Sequence, residues 1–248
     1  MGAIPKVIHY CWFGGNEKPE LVSECILSWK KYLPDWEIVE WNEDNYDVMK
    51  TAYTAEAYNL KKWAFVSDYA RFDVLHEFGG VYLDIDVEFI KPLPEAILEC
   101  EGFCGFEGSR NINPGLIFGA IKGHPLLKRL LDMYAEEHFT NRKDGSYKTV
   151  NIYLTEMLMQ DGLVKNNSLQ KVSGLTIYPS EYFCGYDTDV REPMITERTI
   201  CWHHYLGSWV KPSVKMKMQN ILKKLIGVKN YKRLILLNRK LRKIGQDN

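Results

Sequence analysis

The chain has 248 residues, 46% of them hydrophobic and 26% charged, with 32 basic and 32 acidic side chains. That composition excludes a disordered or fibrous protein and suits one α/β domain of ordinary size with a substantial core. Neutrality hides an asymmetry, because Lys211 onward holds 12 Lys/Arg against Asp247 alone, leaving residues 1–210 with 20 basic against 31 acidic side chains. An acidic body (1–210) and a basic tail (211–248) are therefore expected.

No basic segment followed by an apolar core and a cleavage site opens the sequence, and no apolar run approaches ~18 residues, so a cytoplasmic chain without a membrane span is expected. Cys11, Cys25, Cys100, Cys104, Cys184 and Cys201 lack zinc-like pairing and read as reduced core residues.

Residues 7–13 (VIHYCWF) predict a buried first strand ended by Gly14-Gly15, with Trp12 at the mouth of a crevice of the kind where open α/β sheets bind nucleotides. An aromatic there can stack on a base, although a core tryptophan fits the same residues. The apolar spacing of 19–33 predicts an amphipathic helix with Pro19 in its first turn, and 36–41 (WEIVEW) alternates like a strand. Residues 49–78 read as helical with a break near Asn59, which gives β, α, β and two helices, as in a three-layer sandwich. On the last helix, 63–78, Asp68 and Arg71 are three apart and share a face. Without context they are a surface ion pair.

That helix runs into 79–87 (GGVYLDIDV), the stretch that organises the rest. Three apolar residues lead to Asp84 and Asp86, whose oxygens can hold one hard divalent cation such as Mg²⁺ or Mn²⁺. Such an ion keeps positions open for phosphate oxygens and neutralises a departing diphosphate, as a nucleotide-sugar transferase requires. Beyond it, 103–107 and 116–121 predict strands joined by a turn at 111–115, and 125–137 and 149–160 predict helices. Residues 162–198 give weak signals of short strands and turns. Residues 201–209 (CWHHYLGSW) form a second cluster, in which His203 or His204 can complete a carboxylate metal site. The loop with Ser208 and Trp209 can close over a diphosphate.

The ordered segments IPKVIHYCWFGG, SWKKYLPDWEIVEWNEDN, AFVSDYARFDVLHEFGGVYLDIDV and HHYLGSW resemble the DXD-containing sugar transferases of glycosyltransferase family 32, over 4–92 and again over 201–209. The resemblance implies a GT-A fold, a Rossmann-like α/β/α sandwich with a mixed sheet, followed here by a basic helical tail. It also implies a nucleotide-sugar donor, Mn²⁺ or Mg²⁺, and transfer with retention. By position, Trp12 would stack on the base, Asp68 and Arg71 would contact sugar and phosphate, and Tyr82 would lie nearby. Asp84 would face ribose and sugar, Asp86 would bind the metal directly, and His203 or His204 would lie near it. Ser208 and Trp209 would touch the diphosphate; Asn113 and Asn151 are polar candidates on position alone. Tryptophan stacking suits uracil, so a UDP-hexose (galactose or glucose) is expected ahead of GDP-mannose, with a glycan or lipid-linked glycan acceptor of the capsule or lipopolysaccharide type. A haloacid-dehalogenase-like phosphatase also carries D-x-D, but on its first strand and with a small hydroxyl or Val where Glu88 stands. A non-catalytic membrane adaptor is the remaining rival.

In the tail, Met218, Ile221, Leu222, Leu225 and Ile226 recur at helical spacing among Lys215, Lys217, Lys223 and Lys224. A looser stripe of Leu234, Leu237, Leu241 and Ile244 follows. Basic amphipathic helices settle on anionic membranes, so a peripheral position on the inner face of the membrane is expected, ahead of packing on the acidic body or a nucleic-acid contact.

Overall fold

The computed structural model describes residues 3–108, 111–139, 147–187, 192–206, 214–228, 230–231 and 233–235. In chain order the elements are β1 (Val7–Cys11), α1 (Glu20–Tyr32), β2 (Glu37–Trp41), α2 (Ala52–Asn59), α3 (Trp63–Phe78), β3 (Gly80–Tyr82), β4 (Val87–Phe89) and α4 (Glu95–Leu98). There follow β5 (Gly102–Glu107), β6 (Asn111–Ile112), β7 (Phe118–Ala120), α5 (Pro125–Ala135), α6 (Val150–Gln160), β8 (Gln170–Val172) and β9 (Leu175–Tyr178). The last are α7 (Ser180–Phe183), β10 (Tyr186–Asp187), β11 (Glu192–Pro193), β12 (Cys201–His203) and α8 (Val214–Ile226).

The main sheet runs β2-β1-β3-β7-β5-β9-β8, with β6 added to β5. It is mixed: β1 lies parallel to β2 and β3, β7 is antiparallel to β3 and β5, and β9 is parallel to β5. Alternate strand residues feed two cores. Cys11, Tyr82, Cys104 and Phe106 join the α2, α3, α5 and α6 side, while Ile8, Tyr10, Val81, Leu83 and Phe103 join the α1, α4 and α7 side. Period-two alternation into two apolar layers makes the expected three-layer α/β/α sandwich. The predicted turn at 111–115 differs in one respect, since Asn111 and Ile112 pair back onto Glu107 and Phe106 as a short strand.

Two local features position the site. In α1 the buried side chains Val22, Cys25 and Trp29 face one way, and the Trp29 indole N–H donates to the Val87 carbonyl at 2.7 Å, tying this helix to β4. Truncating Trp29 would cost about 3–5 kcal/mol. Helix α3 is buried almost throughout Phe65–Leu75 and ends on Gly79 and Gly80, with φ of +70° and +109°. A Cβ on Gly80 would stand 2.7 Å from the Val7 carbonyl oxygen and 2.9 Å from His9 Nε2, so glycine allows the reversal from α3 into β3 against β1. His9 locks the reversal. Its Nδ1 accepts from the Trp41 indole at 3.1 Å, so Nε2 carries the proton and donates to the Gly79 carbonyl at 2.9 Å.

Candidate active site

Beyond β3 the Asp84 amide donates to the Gly115 carbonyl at 2.9 Å, and Val87 N–H returns to the Asp84 carbonyl at 3.1 Å. This turn brings the carboxylates of Asp84 and Asp86 to one side. Room for Asp84 comes from Gly115, where a Cβ would stand 1.9 Å from Asp84 Oδ2. Asn113 fixes that approach by accepting from the Gly115 amide at 2.8 Å.

The third group arrives from the far end of the chain. β12 pairs antiparallel with β4, His203 opposite Val87 and Trp202 opposite Glu88. Side chains on a strand alternate faces, so the two histidines separate. His203 Nε2 lies 3.2 Å from Asp86 Oδ1 and 3.7 Å from Asp84 Oδ2. His204 turns away, with Nε2 2.8 Å from Glu88 Oε2 and its ring against Trp202. Of the two expected metal candidates, only His203 meets the aspartates. One ligand atom each from Asp84, Asp86 and His203 lies within 4.8 Å of the others.

Arg71 backs this triangle. Its Nη2 donates to Asp68 Oδ1 at 2.8 Å, Nη1 lies 3.4 Å from Asp84 Oδ1, and the guanidinium packs 4.7 Å from the Tyr82 ring centroid. Both side chains of the Asp68–Arg71 pair are buried, at 10% and 5% exposure, which replaces the surface pair that spacing alone allowed. Burial pushes the Asp68 carboxyl up to about 6 against the pull of Arg71. Burial would raise Asp84 too, but Arg71 and then His203 outweigh it and hold that carboxyl at about 2. His203 is raised, because Asp86 and Asp84 together overcome the effect of its burial.

Glu107 and Tyr205 complete the rim and went unnoticed in the sequence. Tyr205 Oη donates to Glu107 Oε1 at 2.7 Å, and Asn151 Nδ2 donates to Glu107 Oε2 at 3.2 Å. Tyr205 N–H donates to His203 Nδ1 at 3.0 Å, with ring centroids 4.3 Å apart. The only available signal was Tyr205's place two residues after His203. Asn151 is the second residue of α6, whose first, Val150, donates its amide to Asp68 Oδ2 at 3.4 Å. Both asparagines therefore hold other groups of the site.

Trp12 follows β1, partly exposed, its indole donating to the Asn16 carbonyl at 2.8 Å. Ser208 and Trp209 lie outside the described residues, as does much of the second tail stripe. In α8, Met218, Ile221, Leu222 and Leu225 are exposed, while Lys223 pairs with Glu192 of β11 at 2.7 Å. No helix among the described residues is long and apolar enough to cross a membrane.

The donors fit a hard divalent cation. Two carboxylates and one imidazole converge, Asp68 and Glu107 add negative charge, and Arg71 supplies the nearby positive charge. An oxygen-rich, net negative cluster of this kind suits Mn²⁺ or Mg²⁺.

Residues 19–103 match the family described as "Glycosyltransferase sugar-binding region containing DXD motif". Inositol phosphoceramide mannosyltransferase 3 of Schizosaccharomyces pombe is 30% identical over 137 residues, 52% of this chain and 36% of that protein. Human alpha-1,4-N-acetylglucosaminyltransferase is 31% identical over 114 residues, 45% of this chain and 28% of that protein. The chain thus spans about a third of the length of the curated relatives it matches. Among solved structures, PaToxG glycosyltransferase superposes with a TM-score of 0.48 and 20% identity, covering 64% of this chain and 70% of that one. The galactosyltransferase LgtC, solved with donor and acceptor sugar analogues, gives 0.49 and 12%, covering 92% and 94%. The enzyme class that the sequence resemblance implies agrees with the matched region's description and with the glycosyltransferase names of the curated relatives.

Proposed function

We propose that this chain, whose residues 19–103 are a glycosyltransferase sugar-binding region containing the DXD motif, is a metal-dependent retaining hexosyltransferase. Its donor is a nucleotide sugar, a UDP-hexose ahead of others. The observation that carries the reading is the convergence of Asp84, Asp86 and His203 beside the buried Arg71–Asp68 pair. Bound there, Mn²⁺ or Mg²⁺ would supply counter-charge for a departing diphosphate.

The chain's own residues divide the remaining work. Arg71, held positive by Asp84 and Asp68 against the effect of burial, stabilises negative charge on the leaving phosphate oxygens, a preorganised interaction that needs no reorientation. Asp68 accepts from Arg71 and has its second oxygen turned to the α6 amide, which orients the guanidinium. Trp12 stacks on the base, and Ser208 and Trp209 cover the diphosphate. The acceptor oxygen bonds to the anomeric carbon from the face that the nucleotide leaves, the carbon–oxygen bond to phosphate breaks, and the acceptor proton passes to the leaving phosphate oxygen.

The acceptor is a glycan, proposed to be carried on a membrane lipid. The name of the fission-yeast relative includes a lipid acceptor, and the exposed apolar stripe of α8 within a basic tail suits an anionic lipid surface. Cosedimentation with anionic vesicles at moderate salt checks this; a chain that stays in the supernatant refutes it. The same name carries mannose, the sugar of the second donor reading, GDP-mannose. Calorimetric titration of UDP, GDP and CDP with and without Mn²⁺, on the wild type and Asp84→Ala/Asp86→Ala, separates the donors. Binding of one nucleotide only with metal and only to the wild type is expected; binding of none refutes a nucleotide-sugar donor.

A further inference from the structure

Tyr205 holds a left-handed φ of +55°, and a bulky residue stays there only where its surroundings over-determine it. Five contacts do so. The amide donates to His203 Nδ1 at 3.0 Å, the ring packs 4.3 Å from the His203 ring, and the ring centroid also lies 4.6 Å from that of Tyr186. The phenol oxygen is fixed between Glu107 Oε1 at 2.7 Å and Cys184 Sγ at 3.3 Å. Glu107 is itself held, by its place in β5 opposite Asn111 and by the Asn151 amide. Two of these contacts, through the amide and the ring, reach the imidazole of His203, whose Nε2 faces Asp86 and Asp84.

We propose that Tyr205, anchored by Glu107, is a positioning residue that sets the imidazole of His203 for a divalent cation. The inference rests on the metal-dependent reading above. Groups behind a metal-binding histidine fix its ring orientation, and losing one typically weakens metal affinity about 10–100-fold. Ring packing and the phenol anchor are the lasting parts of this support. The amide contact is the part that gives way, since a cation on Nε2 moves the ring proton to Nδ1.

The test is Mn²⁺ binding to the full chain, read by the electron paramagnetic resonance signal of free Mn²⁺. Y205F is expected to weaken binding about 10–100-fold, and E107Q, whose amide oxygen still accepts from the phenol, to weaken it less. Because Tyr205 acts through His203, Y205F/H203A should bind no more weakly than H203A. Wild-type affinity in Y205F, full multiplication of the two losses, or a larger loss in E107Q than in Y205F would each overturn the proposal. Should Y205F fail to fold, E107A removes the same anchor together with one negative charge and must show at least the same loss; unchanged affinity there overturns it equally. A wild type that binds no Mn²⁺ defeats the metal reading itself, whereas binding that ignores Tyr205 defeats only this inference.

Discussion

Gly115→Ala should separate the stability of the fold from the geometry of the site. The added Cβ would stand 1.9 Å from Asp84 Oδ2, 2.7 Å from Asp84 Cγ and 3.1 Å from Asn113 Oδ1, so the Asp84 carboxylate has to leave. Gly115 has no left-handed φ, so alanine suits its backbone, and reduced freedom of the unfolded chain contributes about 0.4–1 kcal/mol of stabilisation. The displaced carboxylate is 29% exposed and has solvent to turn into, which sets overpacking at the low end of about 1–3 kcal/mol. The two effects nearly cancel, leaving a net change within about 1 kcal/mol, or roughly 2–4 °C in Tm for a chain of this size. The site has no such compensation. Asp84 gives up Arg71 at 3.4 Å and His203 at 3.7 Å, and one of three donors leaves. Mn²⁺ affinity should fall by more than the roughly 10–100-fold that follows loss of a supporting partner. Thermal melting and Mn²⁺ titration on the same sample check both halves. Wild-type Mn²⁺ affinity, or a Tm lowered by more than about 10 °C, would refute the reasoning.

Asp86→Ala should lose nearly all turnover while keeping its circular dichroism spectrum; near-normal activity would remove the metal from the mechanism. Arg71→Ala leaves the buried Asp68 without its cation, and urea unfolding should register a loss of about 3–5 kcal/mol. A loss under about 1 kcal/mol would mean the pair behaves like an exposed one. His9 should be a local source of acid sensitivity. Burial lowers its pKa from the model-compound value of 6.5, so the unfolded chain takes up a proton before the folded one does. Its contribution is complete above that value and lost as pH falls below it. NMR should show the native His9 ring titrating below the 6.5 of a free imidazole; a ring that titrates at or above that value contradicts this.

Much of the fold is legible because its signals are local. The apolar run of β1, the spacing of Val22, Cys25 and Trp29, and the Gly79-Gly80 break each declare themselves within a few residues. The carboxylates and Arg71 are legible for the same reason, lying on consecutive elements. What stayed hidden depends on pairing between distant segments. No spacing rule reveals that β12 lies against β4, and until that register is known His203 and His204 are equivalent. Glu107 looks like any acid at a strand end until Tyr205, 98 residues later, donates to it. The burial of Asp68 is tertiary as well, arising from α6 closing over α3 at Val150.

The β4–β12 ribbon also orders events in time. The matched segment 19–103 contains Asp84 and Asp86 but not His203. On the ribosome, at about 5–20 residues per second, the two aspartates emerge roughly 6–23 s before the histidine that joins them. During that interval the nascent chain has a pair of carboxylates with Arg71 beside it and no imidazole between them. The proposed cation site is therefore complete only once β12 has been made and paired with β4.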